Sequence, residues 1–68
     1  MRELTITGET IRLGQFLKLA GLVDAGSDVK VLLADGTVRV NGLAEARRGR
    51  QLVRGDEVAV GTTVLRVA

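Results

Sequence analysis

The chain has 68 residues, of which 46% are hydrophobic, a net charge of +2, and no Cys, His, Tyr, Trp or Pro. A chain this short forms one domain, residues 1–68, whose apolar side chains must all serve a single core, leaving little for a deep catalytic cleft. The missing residue types remove disulfides, thiolate chemistry, histidine metal ligands and the commonest general base.

Taken in chain order, "ELTIT" alternates, with Leu4 and Ile6 on one face and Thr5 and Thr7 on the other, the pattern of a half-buried strand. The opening residues break off into Thr, Gly and Glu before any signal-like apolar run, and no stretch reaches the length of a membrane span. The expectation is a soluble, cytoplasmic protein. Gly8-Glu9 then turns the chain. In "IRLGQFLKLAG", Leu13, Phe16, Leu17 and Ala20 fall at i, i+3, i+4 and i+7, forming one apolar helical stripe, with Gly21 at the helix C-terminus and Gln15 and Lys18 outward. A second helix begins at Ser27, a capping residue followed by Asp28, and buries Val29, Leu32 and Leu33 before Asp35-Gly36 ends it. Two helices this short must pack on each other and on strands.

The second half reads as β structure. Val38 and Val40 point one way and Thr37 and Arg39 the other, and Asn41-Gly42 supplies the two positive-φ residues of a type I′ hairpin. A two-residue turn sets Val40 opposite Leu43 and Val38 opposite Glu45, which would carry a carboxylate toward the core, so the ladder is expected to bend away after about one pair. The arginine segment that follows is then a curved excursion. Arg54-Gly55-Asp56 makes a turn, Val58 and Val60 are buried, Gly61-Thr62 turns again, and Leu65 and Val67 close the core. The predicted class is α+β: two short packed helices against a small, mostly antiparallel sheet of about four to five short strands.

Charge is unevenly distributed. Gly36 to Gly55 holds five cations, Arg39, Arg47, Arg48, Arg50 and Arg54, against Glu45 alone, a local +4; the remaining residues carry five cations against seven anions, a net −2. This asymmetry is the footprint of a polyanion binder, the plainer reading being a solvated face. Phe16, the single aromatic, lies on the apolar stripe, so no platform for stacking unpaired bases is present. Arg54-Gly55-Asp56 spells an adhesion tripeptide, but a turn explains it. The glycines form no phosphate loop, and Glu9, Glu45 and Glu57 are too scattered for an acid/base pair. Neither an enzymatic activity, a metal, a cofactor nor a small-molecule substrate is expected.

The order helix, helix, "DGTVRVNG", charged excursion, "LVRGDEV" resembles the S4 RNA-binding domain, a small α+β module. The likeness starts at "IRLGQFLKLAGLV" and runs through the spacing from Val29 to Gly42; with the leading strand and the tail "EVAVGTTVLRVA" the whole chain is similar to stand-alone bacterial S4-like proteins. Two positions depart from the family's pattern: Ala25-Gly26-Ser27 stands where Ser-Gly is frequent, and Gln51 where a basic residue is frequent. The resemblance implies binding to structured RNA, ribosomal RNA or the ribosome among the candidates, through Lys18, Lys30, Arg39, Arg47, Arg48, Arg50 and Arg54. The guanidinium fork suits phosphate because it donates two hydrogen bonds and is always charged. A ubiquitin-like sulfur carrier would need a C-terminal Gly-Gly, and this chain ends Arg66-Val67-Ala68. The rival reading is a non-catalytic protein-interaction adaptor that pairs through an exposed sheet edge.

Overall fold

The computed structural model describes residues 2–24 and 26–68; the surroundings of Gly26 and Ser27 lie outside that description. The elements run β1 (Arg2–Leu4), β2 (Thr10–Arg12), α1 (Leu13–Leu19), α2 (Gly26–Ala34), β3 (Val38–Val40), β4 (Leu43–Ala44), β5 (Gln51–Val53), β6 (Glu57–Val60) and β7 (Thr63–Val67). Five strands form one sheet in the order β1-β7-β6-β3-β4, and β2 and β5 pair separately. The expected α+β class therefore holds, with more strands than the sequence predicted.

The apolar stripes meet in one core. Leu13, Phe16 and Leu17 of α1 are wholly buried, as are Val29 of α2 and Val38, Leu52, Val58 and Leu65 of the strands. Burying Phe16 and its neighbours at about 25 cal/mol per Å² is the main force holding elements too short to persist alone. Gly14 lets α1 approach α2 closely: a Cβ there would lie 3.3 Å from Val29 Cγ1. The C-terminus of α1 closes with the Gly21 amide donating to the Lys18 carbonyl at 3.0 Å and the Leu22 amide to the Leu17 carbonyl at 3.1 Å, the paired bonds of a Schellman ending. Helix α2 begins at Gly26, so Ser27 falls inside the first turn rather than before it; its hydroxyl and the cap position at residue 25 lie outside the described residues.

The hairpin forms as the turn residues require. Asn41 and Gly42 adopt φ of 53° and 85°, Val40 pairs with Leu43 and Arg39 with Ala44, and the ladder ends there apart from the Glu45 amide reaching the Val38 carbonyl at 3.0 Å. Asn41 does more than turn the chain. Its Nδ2 donates to Asp56 Oδ1 at 3.1 Å and its Oδ1 accepts the Glu57 amide at 2.9 Å, tying the hairpin to the start of β6. The antiparallel pairs β3·β6 and β6·β7 build the sheet's centre, and β1 adds to β7 in parallel, with Arg2 beside Leu65 and Leu4 beside Val67. Ile6, expected in the leading strand, lies just past it, buried and bonded through its amide to the Ala68 carbonyl at 2.8 Å. On the sheet's outer face Arg66 lies between Glu57 at 3.2 Å and Glu3 at 3.7 Å.

Candidate nucleic-acid interface

The segment between β4 and β5, residues 45 to 50, has no regular structure, as its sequence predicted, yet it is firmly placed. The N-cap of α1, Arg12, makes no side-chain capping bond. Two of the helix's first amides are satisfied from elsewhere: Leu13 N–H donates to the Arg50 carbonyl at 2.8 Å and Gly14 N–H to the Arg48 carbonyl at 2.9 Å. The β2·β5 ribbon, which pairs Arg12 with Gln51 and Ile11 with Leu52, holds the exit of the segment beside the entry of α1. The backbone carbonyls thus face the helix.

One consequence is the position of Arg48. It borders an open depression of about 520 Å³ with Lys30, Leu33 and Ala34 of α2, and a second of about 310 Å³ with Arg12 at the end of β2 and Gln15 and Lys18 of α1. Either has room for a phosphate group. Arg12, Lys18, Lys30 and Arg48 are all exposed, and among the described residues none of them is held in an ion pair. Three of these four were expected from the sequence. Arg12 was not, because it stands far from the basic segment in the chain; its signal was the three-residue spacing Arg12, Gln15, Lys18, which repeats along one side of the helix away from the apolar stripe.

The other arginines are differently engaged. Glu45, with only 13% of its side chain exposed, accepts Arg47 Nε at 3.1 Å and Arg47 Nη2 at 3.2 Å in a two-pronged contact, and Arg50 Nε lies 3.1 Å away. The Ala46 and Arg47 amides also donate to it, at 3.1 and 3.2 Å. The Arg47 side-chain bonds above all, then the backbone bonds, hold the Glu45 carboxyl down at about 2, and Arg47 is raised in turn by its bond to Glu45. So the carboxylate expected opposite Val38 turns to its own arginines and stays out of the core. Among the described residues Arg50 Nη1 is buried without a hydrogen-bond partner. Arg54 Nη2 donates to the Ile6 carbonyl at 3.0 Å, and Arg39 projects from the sheet face opposite the buried Val38 and Val40. The structure therefore brings Lys18, Lys30 and Arg48 together and leaves Arg39 and Arg54 on other elements. Phe16 is sealed in the core and is not a stacking residue. Among the described residues no group of metal-ligating side chains forms, and no helix is long and apolar enough to cross a membrane.

Comparison with known proteins gives a consistent picture. The sequence model of the S4 domain matches residues 4–68. A Bacillus subtilis (strain 168) protein named "Probable ribosome maturation protein RlbA" is 44% identical over 57 residues, covering 84% of this chain and 80% of that protein. An Escherichia coli (strain K12) protein named "Putative RNA-binding protein YbcJ" is 35% identical over 49 residues, covering 72% of this chain and 70% of its own length.

Proposed function

The chain belongs to the S4 domain family of RNA-binding domains, and from that premise we propose that it binds structured RNA, ribosomal or ribosome-associated, without catalysing a reaction. The observation that carries the reading is Arg48, flanked by Lys30 on one side and by Arg12 and Lys18 on the other, with none of the four neutralised by a neighbouring carboxylate among the described residues. Cations so placed take phosphate oxygens and release condensed counterions, which gives affinity without reading base identity. With Phe16 in the core, shape and backbone charge are left to recognise the RNA, as suits a duplex or folded strand better than splayed bases. In this reading Arg47 and Arg50 serve Glu45 first, Arg54 serves the Ile6 carbonyl, and Arg39 is a peripheral contact. The relative named for ribosome maturation supports a ribosomal RNA and a cytoplasmic location.

The test is a titration of a labelled RNA hairpin at several salt concentrations. Four phosphate contacts predict that log K falls with log[salt] with a slope of about −3 to −4. Replacing Lys18, Lys30 and Arg48 together by Gln flattens that slope by about 2 to 3 units. Replacing Arg2 and Arg66 removes two of the protein's positive charges against three, but Arg2 reaches the Ala20 carbonyl and Arg66 lies between two glutamates, so binding changes far less. Equal effects from the two sets would reduce the cluster to a solvated face. The open edges at β1 and β4 would then be the place to look for a partner protein.

A further inference from the structure

The single anion in the basic segment is placed where a polyanion binder would least want one. Glu45 is nonetheless the most heavily bonded side chain there. Its carboxylate takes both prongs of Arg47, lies against Arg50 Nε and accepts two backbone amides. Resting on the RNA-binding reading above, we propose that Glu45 is a positioning and specificity-determining residue: it engages Arg47 and Arg50 internally, so that within the segment Arg48 is the arginine that meets phosphate.

The physical case has three parts. A two-pronged arginine–carboxylate contact is geometrically matched and charge-assisted, so it occupies the Nε and Nη2 edge of Arg47 and offsets the charge a phosphate would meet there. Arg47 keeps 78% of its side chain exposed and is restrained by that contact alone, whereas Arg50 is also withdrawn, with 30% of its side chain exposed and Nη1 buried with no hydrogen-bond partner among the described residues. The same bonds act together with those from the first amides of α1 to the Arg48 and Arg50 carbonyls to hold the segment in place, with Arg48 between the two depressions. Glu45 lowers the raw attraction for any polyanion, and what it gains is a single defined cation where three loose ones would bind indiscriminately.

The experiment compares a folded RNA hairpin with a polyuridine strand of equal length, each titrated across salt, against the parent, Glu45→Gln and Glu45→Asp. Glu45→Gln frees Arg47 and Arg50, so the slope on both RNAs steepens by about 1 to 2 units. The preference for the hairpin falls by about threefold or more as the freed arginines add contacts either RNA can satisfy. Glu45→Asp keeps the charge and lies between. A second pair needs no change at Glu45: Arg47→Gln and Arg48→Gln remove the same charge, and Arg48→Gln must weaken hairpin binding more. Nitrogen-15 spectra of the arginine side chains provide a reading without RNA, with the Arg47 and Arg50 Nε–H protons exchanging more slowly than that of Arg48 in the parent and losing that protection in Glu45→Gln. Protected protons in a parent that binds neither RNA would sink the RNA-binding reading while leaving the clamp in place. A parent that binds with the expected salt dependence, but shows equal losses from Arg47→Gln and Arg48→Gln or an unchanged slope and preference in Glu45→Gln, overturns the role given to Glu45.

Discussion

Asn41 offers the sharpest test of how the hairpin is joined to the sheet. Replacing it by Gly keeps the turn's left-handed backbone, which Gly adopts freely, and removes only the side chain's two bonds, to Asp56 Oδ1 at 3.1 Å and from the Glu57 amide at 2.9 Å. Each such bond contributes about 0.5–1.5 kcal/mol net, and at an exposed site the lower half of that range applies. The loss is then about 1–2 kcal/mol, with a few tenths more for the freedom Gly adds to the unfolded chain. For a domain of this size that lowers the melting temperature by roughly 5–15 °C. Thermal unfolding followed by circular dichroism reads it directly, and a double-mutant cycle with Asp56→Ala isolates the bridge, because Asp56 also accepts the Val53 amide at 2.9 Å through its other oxygen. A coupling of about 0.5–1 kcal/mol is expected. If Asn41→Gly melts within about 2 °C of the parent, or the cycle shows no coupling, Asn41 is only a turn residue and the bridge contributes nothing.

Three other outcomes follow from the same geometry. Phe16→Ala opens a cavity in a wholly buried site and costs about 3–5 kcal/mol, enough to unfold much of the population in a denaturant titration. Gly42→Val puts a β-branched residue at φ 85° and destabilises by more than about 1 kcal/mol, while a stability equal to the parent's would mean the turn can relax to another type. The Glu45 carboxyl is depressed from its ordinary 4.5 to about 2, so its contribution to stability is fully present above pH 4.5 and is lost as the pH falls toward 2. Urea midpoints of the parent and of Glu45→Gln should therefore differ at pH 6 and converge near pH 2; a gap that persists at the acid end would assign the effect to shape rather than charge.

Local chemistry was legible in the chain itself. The stripe Leu13, Phe16, Leu17, Ala20 has the period of a helix, Val38 and Val40 alternate with Thr37 and Arg39, and Asn41-Gly42 admits the positive φ that a two-residue hairpin requires; each depends only on near neighbours in sequence. The crowding of arginines after that turn was legible for the same reason. What the sequence could not carry were the pairings across distance. The parallel addition of β1 to β7 joins the two ends of the chain, and the three-residue strands β2 and β5 are too short to show a period, so only closure of the core selects them. Nor does a count of charges tell which are free. Glu45 and Arg47 are neighbours in any conformation, but that carboxylate also engages Arg50 because the Arg48 and Arg50 carbonyls are drawn to the open amides of α1. The same contact brings Arg12 and Lys18, thirty or more residues away in the chain, to the side of Arg48. The sequence alone determined that a basic segment would follow the hairpin; the tertiary structure decided which of its arginines are engaged by a carboxylate, because unsatisfied helix amides and a half-buried carboxylate bind the nearest partners the fold presents.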